Sequence, residues 1–244
     1  MKTYPIFLCP FLILFSCQDD NQRRNITDFY FPLKEIKEGK IYEYQSIGSQ
    51  YDPPMFWYYK SMKQDGNEYL LGMNYDVNFS PDQFIREERV SNGMKLVDFY
   101  IYEKPDSISE KIQVQANISQ GNVFPFFIKE PANVLLTSLE WTPPGGDSTV
   151  INLVRNRQFD RDTTIVFKNK KVRAIQFNII ELVEHDHEGR LPLEFNGTEI
   201  YAVGIGLVAV KKNITEGYQM AYELKDIYSM EEFEEKFKVA LEVQ

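Results

Sequence analysis

His185-Asp186-His187-Glu188 is the densest set of metal-ligating and acid–base side chains in this sequence. Two histidines one residue apart on a strand point to the same side, so His185 and His187 could face one metal ion. They are the only two histidines, and Gly189-Arg190 follows at once, so the same residues also read as the polar tip of a hairpin. A hydrolase would need this pair, or two convergent carboxylates, set in a cleft. No G-x-S-x-G, H-E-x-x-H, P-loop or G-x-G-x-x-G pattern is present, and the chain is read as having no enzymatic activity. The second group is aromatic. In Phe56-Trp57-Tyr58-Tyr59, alternation puts Trp57 and Tyr59 on one strand face and Phe56 and Tyr58 on the other. Such rings, like those of Phe124-Pro125-Phe126-Phe127, serve either as platforms for sugars and apolar ligands or as core.

Strands must position these residues, because period-two alternation recurs from end to end. Tyr42 and Tyr44 alternate with Glu43 and Gln45; Ile112 to Ile118 and Tyr218 to Lys225 do the same. In Ile175 to Leu182 the apolar phase slips after Ile179, which predicts a bulge there. Further strands are expected at 55–62, 68–74, 84–90, 94–103, 150–158, 163–167 and 201–211. Turns are expected at Asp65-Gly66-Asn67, Asn92-Gly93, Pro143 to Gly146, Lys168 to Lys170 and Asn196-Gly197. One-sided alternation means one sheet face meets a core and the other meets water. The C-terminus differs: Ser229 and Glu232 form a capping box, and Met230, Phe233, Phe237 and Leu241 follow a helical spacing. The fold class is mainly β: a curved antiparallel sheet, half-open barrel or sandwich of about ten to twelve strands, with a short helix over about 230–241.

The chain has 244 residues, a net charge of −9, and 14% aromatic residues. An acidic chain without a basic stripe argues against nucleic acid as a partner. Only two cysteines occur, Cys9 and Cys17. Lys2 followed by the ten apolar residues Ile6 to Phe15 has the build of a signal peptide. A helix of that length reaches only about half the hydrocarbon thickness of a bilayer.

Leu14-Phe15-Ser16-Cys17 resembles the lipobox of bacterial lipoproteins. That resemblance implies cleavage before Cys17, lipid on its sulfur, and attachment to a membrane through acyl chains. No other cofactor is expected. Gln18-Asp19-Asp20 resembles the export signal of Bacteroidetes surface lipoproteins, which implies an outer-membrane protein facing outward; facing the periplasm is the alternative. The expected organisation is a signal peptide at 1–16, a flexible tether at 17–27 and one β-rich domain at 28–244.

Two more segments resemble secreted lipoproteins of the Bacteroidetes type. They are Phe31-Pro32-Leu33 with Gly39 and Tyr42-Glu43-Tyr44, and Tyr201-Ala202-Val203-Gly204-Ile205-Gly206-Leu207-Val208. The resemblance implies a curved antiparallel sheet similar to the half-open barrels of lipoprotein carriers. Gly204 and Gly206 within a strand suggest sharp curvature or close backbone approach. The leading functional expectation is a membrane-anchored, non-enzymatic module that binds or assembles something at the cell envelope, an apolar ligand or a protein partner. The alternatives are a surface glycan binder using Trp57 and Tyr59, and the hydrolase above.

Overall fold

Strong alternation and short turns fold this chain into an up-and-down β-barrel. The computed structural model describes residues 23–49, 51–129, 131–145, 149–186 and 192–239. Cys17, Gln18, Asp19, Asp20 and His187 lie outside them. The strands are β1 (Arg24–Asn25), β2 (Lys40–Ser46), β3 (Met55–Gln64), β4 (Asn67–Tyr75), β5 (Pro81–Val90), β6 (Gly93–Glu103), β7 (Ile112–Gln115) and β8 (Asn117–Pro125). They continue with β9 (Phe127–Ile128), β10 (Val134–Trp141), β11 (Ile151–Phe167), β12 (Lys170–His185), β13 (Leu193–Ala202), β14 (Gly206–Thr215) and β15 (Tyr218–Tyr228). A single helix, α1 (Met230–Phe237), follows.

The sheet runs β5-β4-β3-β2-β15-β14-β13-β12-β11-β10-β8-β6 and closes through β5 against β6, giving a ring of twelve antiparallel strands. β7 adds to the far half of β6 as a thirteenth strand. The expected half-open barrel is therefore closed. Its weakest seam is β6 to β8, which pair over three residues of β6 only. Leu96, Ala116 and Leu139 are buried beside that seam, with Phe99, Ile118 and Trp141 packed against them, so side chains complete what the hydrogen bonds leave open.

The N-terminal segment fills one end of the ring. Ile26, Phe29, Tyr30, Phe31, Leu33 and Ile36 are buried among inward-facing Tyr42, Tyr44, Tyr59, Phe124, Phe177 and Tyr201. Backbone bonds lock this plug: Ile26 N–H donates to Phe126 O (2.9 Å), Gly204 N–H to Asp28 O (2.9 Å) and Ser61 N–H to Ile36 O (3.1 Å). The tether expected over 17–27 thus ends sooner, because Arg24–Asn25 pairs with Phe127–Ile128 and Ile26 is core.

The segments around Phe31 to Tyr44 and Tyr201 to Val208 meet here. The Tyr42 and Tyr44 hydroxyls donate to the carbonyls of Ile205 (3.1 Å) and Leu207 (2.9 Å). Phe31 lies so close to Gly206 that a Cβ on that glycine would stand 2.6 Å from the ring. The expected strand 201–211 is instead two strands joined by a turn at Val203 to Ile205, with Gly204 at φ +71° and Gly206 at φ +99°. Close approach is thus the use of Gly206, and Gly204 is a turn residue.

Three further expectations change. Asn196-Gly197 lies inside β13, not in a turn. Strands 150–158 and 163–167 are one strand, β11, bulged between Phe159 and Arg161 opposite β12. No phase slip follows Ile179: Ile180 is 48% exposed and Glu181 points inward, so the apolar phase is interrupted by one charge.

On the outer wall, α1 covers Ile41, Phe56 and Tyr58 with Phe233 and Phe237. The capping box forms: Glu232 N–H donates to Ser229 Oγ (3.2 Å) and Ser229 N–H to Glu232 Oε2 (2.7 Å). The helix ends at Phe237 rather than near 241, because Lys238 turns left-handed (φ 53°) and Val239 N–H closes back on Glu234 O. Outward Glu43 is buried under this helix and accepts from Lys225 (2.6 Å) and Tyr228 (2.6 Å). β2 is therefore buried on both faces. Elsewhere the outward positions are mixed: Gln158, Asn178 and Lys211 are exposed, and so are Val134 and Ile180.

Gly206→Ala should cost roughly 3–4 kcal/mol, combining left-handed strain with a clash against Phe31. Gly204→Ala, with open space at its Cβ, should cost only about 1–2 kcal/mol. Urea unfolding of both variants checks the order; equal losses would mean Phe31 does not press on Gly206.

Candidate functional site

Among the described residues, six charged side chains form a layer across the lumen on the apolar phase of their strands: Glu87, Arg155, Arg157, Glu181, Glu199 and Lys212. The register makes this unavoidable. Arg157 lies opposite Ile179, Arg155 opposite Glu181, Glu199 opposite Phe177, and Lys212 opposite Gly197. Charge on an inward face is costly unless paired; five of these form ion pairs, and Glu87 accepts a hydrogen bond from Tyr30 instead.

The layer has two levels. The inner one touches the plug. Arg157 grips Glu199 with two bonds, Nε to Oε2 at 2.6 Å and Nη2 to Oε1 at 3.0 Å, and donates from Nη1 to Val123 O at 2.7 Å. Tyr201 donates to Glu199 (3.1 Å), and Tyr30 of the plug donates to Glu87. All five side chains belong to buried residues. Burial alone would raise the Glu199 pKa, but the charge and hydrogen bonds of Arg157 bring it down to about 2. Glu87 has no such bond to a cation. Burial pushes its pKa up to about 7, against the opposing hydrogen bond from Tyr30 and the charge of Arg157, and with the help of the nearby Glu199 charge.

The outer level lies one inward position nearer the opposite end. Arg155 and Lys212 converge on one carboxylate, Glu181. Arg155 Nε and Lys212 Nζ each sit 2.6 Å from its oxygens. The other carboxylate within reach of Arg155 is Glu199, at 3.8 Å from Nη1. The cations stand in front: the Arg155 side chain is 29% exposed and Lys212 17%, against 5% for Glu181.

Below this level the lumen changes character. Trp57, Phe99, Ile101, Leu153, Val183 and Phe195 occupy inward register positions, yet all are only half-buried. An inward side chain gains exposure only if solvent enters the barrel. Water therefore reaches the charged layer from the unplugged end, past apolar walls. Two depressions lie elsewhere among the described residues. One, about 530 Å³, is walled by Lys168, Asp226, Glu232 and Lys236 beside α1. The other, about 280 Å³, lies between β8 and β9 near Arg23.

Of the residues singled out from the sequence, Trp57 and Tyr59 do share the inward face. Their rings stack in parallel at 5.5 Å, and Tyr59 is buried, so they wall the lumen rather than forming a flat outer platform. Phe124 and Phe126 are core, and Phe127 is exposed. His185 ends β12 opposite Ile151, half-buried; its partner in the expected pair, His187, is outside the described residues. Among the described residues no group of three or more His, Cys, Asp or Glu could hold a metal ion. The charged layer itself escaped sequence reasoning. Its signal was present: Leu153-x-Arg155-x-Arg157-x-Phe159 and Ile179-x-Glu181-x-Val183 place charge in apolar phase.

No family model matches the chain, and no curated protein does. Two solved structures share its fold. A candidate lipoprotein from Parabacteroides distasonis ATCC 8503 aligns with a TM-score of 0.53 at 12% identity, covering 82% of this chain and 97% of that one. A candidate exported protein with a YmcC-like fold from Bacteroides fragilis NCTC 9343 aligns with a TM-score of 0.50 at 11% identity, over 82% of this chain and 98% of that one.

The pKa of Glu87 sets a pH window. Its folded value near 7 lies above the ordinary 4.5, so the folded state holds the proton more tightly. Stability from this group is full below pH 4.5, falls as pH rises toward 7, and is lower by about 3 kcal/mol above that. Glu87→Gln keeps an acceptor for Tyr30 and removes the charge. It should raise the urea midpoint at pH 8.5 and leave it nearly unchanged at pH 4.5. A loss of stability at pH 8.5 would show that Glu87 is held as a stabilising anion.

Proposed function

We propose that this chain is a lipoprotein of the cell envelope, anchored through lipid on Cys17, whose barrel is a non-enzymatic binding module. The ligand's apolar part occupies the unplugged half of the lumen. The observation that carries this reading is the half-burial of inward-facing apolar side chains such as Ile101, Leu153 and Phe195. A barrel that only needed to be stable would fill that space, as the plug does at the other end. The small number of polar groups amid apolar walls is also the usual make-up of a ligand site.

The anchoring part rests on the lipobox residues and on fold neighbours described as a candidate lipoprotein and a candidate exported protein. Gln18, Asp19 and Asp20 direct the protein to the outer leaflet of the outer membrane in this reading. The inward, mutually stacked Trp57 and Tyr59 favour an apolar ligand over a surface glycan.

Two experiments test the proposal. Cys17→Ala should move the protein from the membrane fraction to the soluble fraction; continued sedimentation with membranes would refute lipid anchoring. The soluble Cys17→Ala chain should bind the neutral apolar dye N-phenyl-1-naphthylamine with saturable fluorescence, at a Kd in the micromolar range. Leu153→Glu, which puts a charge on the wall, should weaken that binding by about tenfold or more. No saturable signal, or equal binding by Leu153→Glu, would overturn the lumen site.

A further inference from the structure

The outer charged level is unbalanced. At the inner level Arg157 is held by Glu199 through a two-bond grip, with Glu87 as a second carboxyl nearby. At the outer level two cations, Arg155 and Lys212, share Glu181. Glu181 lies behind them, and the cations are what solvent in the lumen meets. Arg155 Nη1 comes no nearer than 3.8 Å to the Glu199 carboxylate, which leaves it able to accept a better partner. Thr137 lies directly opposite Arg155 with its hydroxyl donating to Asn122 O (3.1 Å), and the neutral Asn74 and Gln83 occupy inward positions of β4 and β5. Glu103 sits toward the rim, accepting from the Trp141 indole N–H at 3.4 Å.

Two lumen-facing cations around one more deeply buried carboxylate, at the bottom of an apolar-walled cup, have a chemical complement. From this geometry we infer that the lumen takes a single-chain amphiphile with a singly charged acidic head, such as a long-chain carboxylate. The head enters first and lies between Arg155 and Lys212. The tail runs along Leu153, Val183, Phe195 and Ile101 toward the unplugged end. A carboxylate there can accept from both lumen-facing cations, and hydrogen bonds between charged groups are the strong ones in a low-dielectric site. The depressed pKa of Lys212, from burial and from the charge of Arg155 despite its bond to Glu181, is consistent with two cations held close with too little anion between them. The inference rests on the lumen-binding reading above and names the ligand class for that same site.

The test compares amphiphiles of one chain length on the Cys17→Ala protein at pH 7.5 by calorimetry. Dodecanoate should bind about tenfold or more tightly than dodecanol, and dodecylamine should bind most weakly. In Lys212→Gln and in Arg155→Gln the ratio of dodecanoate to dodecanol affinity should fall toward one. If dodecanoate binds no better than dodecanol while N-phenyl-1-naphthylamine still binds, the acidic-head inference is wrong and the lumen site stands. If the dye does not bind either, the lumen reading itself has failed. A preference for dodecanoate that persists in both folded variants would also overturn the assignment to these two residues. Should either variant fail to fold, the order dodecanoate, dodecanol, dodecylamine on the parent protein decides.

Discussion

A ring of twelve strands encloses more volume than its own inward side chains can fill. Residues 26–36 supply the missing volume at one end, and much of the rest of the structure follows from that. Phe31 needs a glycine beneath it, so position 206 is glycine and the chain reverses there. Tyr42 and Tyr44 reach past the plug to the carbonyls of Ile205 and Leu207, tying the first long strand to the hairpin that the plug covers. The Tyr30 hydroxyl carries the plug's contact down to Glu87. The plug thus determines where the dry core ends and where the charged layer begins.

That layer acts as a partition. On its plug side the lumen is aromatic and dry; on the other it is apolar and wet. Buried ion pairs seldom add much to stability, because desolvation offsets the attraction. Their effect here is one of position: Arg157 and Glu199 can satisfy each other only in one register of β11, β12 and β13. Glu87 and Glu199 show the same environment acting in opposite directions. Both are buried near Arg157, but only Glu199 holds its hydrogen bonds, so one carboxyl is driven toward the anion and the other toward the acid.

Much of the fold was legible in the residues. Alternation located most strands, the Ser229 and Glu232 pair marked the start of the helix, and Asp65-Gly66 and Asn92-Gly93 marked hairpin turns. The failures share a cause. Apolar Ile180 points outward and charged Glu181 inward, and hydropathy cannot distinguish a paired inward charge from a solvated one. Asn196-Gly197 has turn composition but sits in β13, where Gly197 leaves room for the Lys211 carbonyl at a distance no Cβ would allow. The helix stopped early because Lys238 adopts the left-handed cap, which the apolar spacing through Leu241 does not encode.

By itself the sequence determined the β-rich class and the start of the C-terminal helix, because each of these depends on local composition or on a period of a few residues. Closure of the ring, the burial of residues 26–36 and the grouping of Arg155, Glu181 and Lys212 were decided only by the tertiary structure. Those three residues come from three strands, and Arg155 and Lys212 are 57 positions apart. Only the pairing of β11 with β12 and β12 with β13, and of β13 with β14, sets two cations against one carboxylate at the bottom of an open lumen.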